Sequence, residues 1–217
     1  MDSRSSSGSS RTNETYGTSH FTICVSGTVI PYCCTVMQNV KATIEKLKGM
    51  IELHKDFPQK GVLFRDIFPI LRDPTTYREL LELLVHEVRH NHPDITVDAV
   101  VGLDSRGFLL APAVAQSLHA GFVPVRKGGK LPGPTEKVEY KLEYGSGVFE
   151  IQTKALKRGQ NVAIVDDLLA TGGTMNAAWQ LAEKLGCNVL GCFVVVELTE
   201  LNGRSRVQVP VHSLIQF

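Results

Sequence analysis

The run Val165-Asp166-Asp167-Leu168-Leu169-Ala170-Thr171-Gly172-Gly173-Thr174 sets two kinds of chemistry side by side. The apolar stretch Val162 to Val165 reads as a buried strand, and two adjacent carboxylates stand at its exit. A short loop with two glycines and two threonines follows, and a helical pattern begins near Met175. A strand, a tight turn and a helix N-terminus form an anion site, because unbonded backbone N–H groups and the helix dipole converge on one point. Glycine lets the main chain approach the ligand and take positive φ, and threonine hydroxyls add donors. Carboxylates beside such a site call for a ligand that also offers hydroxyls or develops positive charge. A ribose phosphate does both.

Other phosphate loops do not fit. The pair Gly129-Lys130 has Pro124 where a Walker A loop needs its first glycine and Leu131 where it needs Ser or Thr. No G-x-G-x-x-G opens a helix after a strand, so a dinucleotide fold has no support. An ordinary strand-to-helix turn would explain the glycines but not an acidic pair at an anion pocket.

The elements that must position these residues alternate along the chain. Val40, Ile44, Leu47 and Ile51 have helical spacing over residues 38–53. Asp73-Pro74 opens a second helix, with Asp as N-cap and Pro at the first helical position, and it runs to about Asn91 before Pro93. Residues 98–103 read as a strand, 106–119 as a helix and 122–125 as a strand. Residues 126–147 are long, charged and rich in Gly and Pro, the composition of a mobile active-site flap. Strands over 149–152, 161–165 and 189–198, a helix over 174–185 and an edge strand over 209–216 complete the chain. Alternating strands and helices predict an α/β fold with a mostly parallel central sheet. Ligands of such sheets bind at the carboxyl ends of the strands, where Asp166-Asp167 and Asp104-Ser105-Arg106 fall.

On these residues the chain resembles the type I phosphoribosyltransferases, whose phosphoribosyl-pyrophosphate (PRPP) signature is similar to Val165–Thr174. The adenine-specific branch of that family is matched further by Phe57-Pro58, by Gly61 to Ile67, by Gly102 to Phe108, by Gly129 to Pro134, by Leu142 to Gly145 and by Val196 to Thr199. The resemblance implies a central sheet flanked by helices, a small hood and a flexible flap. It implies transfer of phosphoribose from PRPP to adenine, giving AMP and pyrophosphate in purine salvage, through an oxocarbenium-like state like that of glycoside cleavage.

The roles it implies can be stated residue by residue. Ala170, Thr171, Gly172, Gly173 and Thr174 hold the 5-phosphate; Asp104, Ser105 and Arg106 meet the pyrophosphate, with Arg126, Lys127 and Lys130 adding positive charge. Gly128 stands where relatives lead one to expect another basic residue. Asp166 and Asp167 accept from the ribose hydroxyls and favour the cationic transition state over the neutral sugar. Ala170 occupies the place of the aspartate that serves the base in 6-oxopurine enzymes. The acid/base role therefore passes to Glu143 in the flap, beside Tyr144. Leu63, Phe64, Arg65 and Leu198 surround adenine, and Mg²⁺ is expected mainly on the oxygens of PRPP.

Composition bounds what else the chain can be. The 217 residues, 43% hydrophobic and 21% charged, suit one soluble domain. A net charge of +1 supplies no global field for nucleic acid or membrane. Five cysteines without C-x-x-C spacing fit a reducing cytoplasm. Residues 1–36 read as a poorly ordered extension, Ser-, Thr- and Gly-rich at first, with Met37 a candidate alternative start; residues 37–217 read as the phosphoribosyltransferase domain. His86-Glu87-Val88-Arg89-His90 matches the zinc-protease motif, yet both histidines fall opposite the stripe Tyr77, Leu80, Leu81, Leu84 and Val88. Two alternatives stand beside adenine transfer: a PRPP-binding regulator without turnover, disfavoured by the lack of a helix-turn-helix pattern, and a 6-oxopurine enzyme, disfavoured by Ala170. A homodimer is expected from the resemblance alone.

Overall fold

Seven strands make one sheet in the order β5-β6-β4-β3-β7-β8-β9. The structure, a computed structural model, describes residues 32–142 and 145–217, with side chains over 39–140 and 147–217. Glu143, Tyr144 and most of the expected N-terminal extension lie outside the described residues. The chain divides into two units, Met1–Asn39 and Val40–Phe217, and the second holds the sheet.

Helix α1 (Tyr32–Met50) begins earlier than the hydrophobic spacing suggests, and Leu53 belongs to a strand instead. That strand, β1 (Glu52–Lys55), pairs antiparallel with β2 (Leu63–Asp66) to form a two-stranded hood ribbon. Its turn is held by Asp56, whose carboxylate accepts from the Gly61 N–H at 2.7 Å. A short helix α2 (Phe68–Arg72) leads to α3 (Pro74–Asn91), where Asp73 caps the N-terminus by accepting from Thr75 and Thr76 N–H. The expected start, Asp as cap and Pro first, is the observed one.

Strand β3 (Ala99–Leu103) is buried throughout. The helix expected from Arg106 is instead a 3-10 turn, Arg106–Leu109, followed by α4 (Ala111–Leu118). Pro112 accounts for the break: it has no N–H to bond back into the preceding turn. Strand β4 (Gly121–Lys127) runs parallel to β3. Much of the expected flap is an antiparallel hairpin, β5 (Thr135–Leu142) and β6 (Gly145–Gln152). Its alternation is real but masked by charge: Val138 and Tyr140 face the core while Lys137 and Glu139 face out.

Strand β7 (Asn161–Leu169) lies between β3 and β8 (Asn188–Glu197), with α5 (Gly173–Lys184) connecting β7 to β8 and β9 (Val211–Gln216) at the edge. These central pairings are parallel, and successive β7 side chains enter opposite cores. Ala163 and Val165 pack on the side of α3 and α4, while Val162 and Ile164 pack with Met175, Ala178 and Leu181 of α5. A strand buried on both faces must be apolar at nearly every position, which is why it read so clearly. No helix among the described residues is long and apolar enough to cross a membrane.

Candidate active site

The carboxyl ends of β3 and β7 open into a cleft of about 590 Å³. It is lined by Asp104, Ser105 and Arg106 after β3, by Asp166, Asp167 and Leu168 of β7, by Ala170 to Thr174, and by Pro58 and Gln59 from the hood. Gln59 carried no signal of its own, and Pro58 and Leu168 stood in the matched segments without an assigned role. Their place follows from the hood turn folding over the sheet and from β7 continuing past its acids.

That continuation corrects the expected geometry. Asp166 and Asp167 do not stand beyond the strand; β7 runs through them, with Leu168 and Leu169 still paired to Val196 and Glu197 of β8. Both carboxylates are buried. Asp166 Oδ1 accepts from the Asp167 N–H at 2.9 Å. Burial, and then the neighbouring charge of Asp167, push the Asp166 carboxyl well above its ordinary range. Burial also raises Asp167, but there the Arg106 guanidinium pulls the other way. Arg106 is thus the cation that offsets the charge of Asp167.

The loop has the backbone its chemistry needs. Gly172 sits at φ +81° as the N-cap of α5 and offers no side chain to the first-turn amides. Those N–H groups have no acceptor within the helix, and Gly173 and Thr174 line the cleft. Gly107 is needed for another reason: a Cβ there would meet Asp166 Oδ1 and the Val165 carbonyl oxygen at 3.0 Å.

Arg106 stands at the centre. Its Nε lies 2.9 Å from Asp167 Oδ2, and its Cζ lies 5.0 Å above the Phe64 ring of the hood. Phe57 meets Phe64 edge to face, with ring centroids 5.1 Å apart. Arg126 Nε donates to Asp104 Oδ2 at 3.1 Å. Lys127 lines an adjoining hollow of about 760 Å³ together with Asp104, Gly128 and Thr174. Lys130 lines neither space; its N–H donates to buried Glu150 and its carbonyl accepts from Arg126. Leu63 and Arg65 stay on the hood ribbon, where Arg65 donates to the Leu63 carbonyl and packs 5.2 Å from the Phe217 ring. Leu198 is buried just past β8 and donates its N–H to the carbonyl of Leu169, the residue before the Ala170–Thr174 loop.

The aspartates supply the hard oxygens that magnesium takes, yet each is already engaged: Asp104 by Arg126, Asp167 by Arg106, and Asp166 by a backbone N–H. This donor set is no closed protein cage and fits an ion that arrives on phosphate oxygens and water. Among the described residues, the side chains that converge as metal ligands do, Glu52, His54 and Asp66, sit on the hood ribbon instead. His86 and His90 stack on each other at 5.6 Å along α3.

A parallel sheet ending in a buried acid pair and an amide-lined loop is the build of a phosphoribosyl-transferring domain, and the phosphoribosyl transferase domain family matches residues 70–213. Human adenine phosphoribosyltransferase is 49% identical over 175 residues, 80% of this chain and 97% of the human protein. The Rattus norvegicus enzyme of that name is 52% identical over 178 residues, 82% of this chain and 98% of its own. The crystal structure of adenine phosphoribosyltransferase from Saccharomyces cerevisiae, complexed with an imino-altritol bisphosphate and adenine, superposes with a TM-score of 0.79 at 44% identity, over 80% of this chain and 99% of the yeast chain. The chain belongs to the phosphoribosyl transferase family and, within it, to the adenine phosphoribosyltransferases.

Proposed function

We infer that this protein transfers phosphoribose from PRPP to adenine, releasing pyrophosphate and forming AMP. The observation that carries the reading is one cleft lined by a glycine-rich loop, two buried aspartates and an arginine paired with one of them. The first-turn amides of α5 and the Thr171 and Thr174 hydroxyls take the 5-phosphate. Asp166 and Asp167 take the ribose 2- and 3-hydroxyls.

For Asp167 to do so, Arg106 has to turn away from it, toward the pyrophosphate beside Asp104 and Ser105. Arg126 and Lys127 lie on that side, with Lys130 nearby on the same loop. The exchange leaves the carboxylates beside the sugar as positive charge grows on C1, so their attraction is greatest in the transition state. Adenine lies between Phe64 and Leu198, with Leu63 and Arg65 offering main-chain contacts. Alanine at position 170 can move no proton, so Glu143, next to Tyr144 in the sequence, serves as acid or base when the flap covers the cleft and raises its pKa. Magnesium, were it to arrive on PRPP beside Asp104, Asp166 and Asp167, would offset charge on the leaving pyrophosphate.

The same reading takes residues 37–217 as the catalytic domain and 1–36 as an appended segment. It places the protein in the cytoplasm as a homodimer with no nucleic-acid or membrane partner; the half-exposed Leu109 and Phe122 offer apolar surface for a second copy. The test is pyrophosphate release with Mg-PRPP and each of adenine, hypoxanthine, guanine and orotate. Adenine should support turnover with AMP as product. PRPP binding without turnover on any base would identify a regulator, and a preference for hypoxanthine or guanine would identify a 6-oxopurine enzyme.

A further inference from the structure

The loop at Ala170 to Gly172 lies against a second stretch of main chain. A Cβ on Gly172 would fall 2.3 Å from the Gly203 carbonyl oxygen, and a Cβ on Gly203 would fall 2.2 Å from the Ala170 carbonyl oxygen. Two stretches of main chain are therefore in direct contact, and the outer one is the 3-10 turn Gly203–Arg206. Whatever fixes that turn fixes the floor of the loop.

What fixes it is the next residue. The Arg204 fork reaches Glu197 at the end of β8, with Nε donating to Oε1 at 2.5 Å and Nη2 to Oε2 at 2.7 Å. Arg204 Nη1 also donates to the Val211 carbonyl, and Ser213 Oγ donates to Glu197 Oε2 at 2.6 Å. Gln216 adds a further donor to the same oxygen at 3.2 Å. Glu197 is buried, and although burial acts to raise its carboxyl pKa, the Arg204 and Ser213 bonds hold it below the usual range. Planar bidentate pairing fixes direction as well as distance, which a point charge would not do.

We propose that Glu197 and Arg204 are positioning residues for the reaction: their bidentate pair presses the Gly203 main chain against Ala170 and Gly172, so that the loop amides are aimed before the 5-phosphate arrives. The inference rests on the phosphoribosyl reading of that loop. The pair touches no reacting atom and acts through loop geometry alone. Its signature is a selective loss of phosphate-end affinity, with adenine recognition spared.

The test compares KM for PRPP, measured at saturating adenine, with KM for adenine at saturating PRPP. Gly203→Ala should raise KM for PRPP on the order of 10–100-fold, the scale of a misplacement near 1 Å, and leave KM for adenine within about twofold. Arg204→Lys keeps the charge but loses the fork, and should fall between wild type and Gly203→Ala. Because removing Arg204 alone strands a buried carboxylate, the double variant Glu197→Gln/Arg204→Met removes the fork without leaving an unpaired charge. It should fold, as judged by circular dichroism and Tm, and show the same selective rise. Unchanged KM for PRPP in folded Gly203→Ala and double variants, or equal rises for both substrates, would overturn the proposal. Wild-type turnover with no dependence on PRPP would instead overturn the phosphoribosyl reading beneath it.

Discussion

Replacing Asp166 with Asn should make the protein more stable and nearly inactive, and the stability gain should depend on pH. Asp166 is buried beside Asp167, and its carboxyl pKa is raised well above its ordinary value, first by burial and then by that neighbour. A raised carboxyl pKa means that the folded state prefers the protonated form. Wild-type stability is therefore intact below the unfolded pKa near 4 and is lost as pH climbs toward the folded pKa, at about 1.4 kcal/mol per unit of elevation. Asparagine cannot ionise, and its carbonyl can still accept from the Asp167 N–H that Asp166 Oδ1 accepts at 2.9 Å. Relief of strain at a functional site is typically worth about 0.5–2 kcal/mol, or about 1–8 °C in Tm for a domain of this size. Losing one electrostatic stabiliser of the transition state should cost kcat about 10²–10³-fold. The assay is Tm by calorimetry from pH 4.5 to 8.5 for both proteins, beside steady-state turnover. The Tm difference should be smallest at the acid end and grow as pH rises. A difference independent of pH, or an Asn variant less stable at pH 8 than wild type, would refute the electrostatic account.

Two further substitutions separate the remaining groups. Arg106→Met leaves buried Asp167 without its cation and should cost about 2–3 kcal/mol of stability near pH 8, less than for a fully buried pair because a quarter of the Arg106 side chain is exposed. With the pull of Arg106 gone, the raised Asp167 carboxyl rises further, so the loss should shrink on acidification; urea melts at pH 5 and pH 8 measure this. Glu143→Ala should lower kcat about 10²–10⁴-fold while calorimetric PRPP affinity stays at the wild-type value, since a proton-transfer group adds little to ground-state binding. Full turnover in that variant would move the acid/base role elsewhere.

Where the sequence was legible, one local rule sufficed. Asp73-Pro74 announced α3 because a cap and a fixed φ act within a few residues. Buried β3 and β7 announced themselves by continuous apolar character. Position 106 was harder: the apolar spacing of 106–119 suits one helix, and only the missing Pro112 N–H divides it. The β5–β6 ribbon was hidden because its outward residues are so highly charged that composition suggested a loop. The contact between Gly203 and the phosphate loop could not be read at all. It is main chain against main chain across more than thirty residues of sequence, and only the Asn202-Gly203 dipeptide marks a turn there.

The acid pair shows why chemistry was easier to find than geometry. Two adjacent aspartates after an apolar run look like the end of a strand, since ionised carboxylates seldom enter a sheet. Here the ladder continues, and Asp166 stays paired in register with Val194 of β8. The two acids are therefore held against the repulsion between them, with Arg106 as the compensating charge. A site built this way has a vacancy for positive charge written into its ground state. Arg106 fills it while it lies against Asp167, and in the proposed mechanism the developing oxocarbenium would fill it once the arginine had turned to the pyrophosphate. On the proposed mechanism, the same strain that lowers stability near neutral pH would be the term that favours the transition state. For that reason the Asp166→Asn stability gain and its rate loss should arise from one cause.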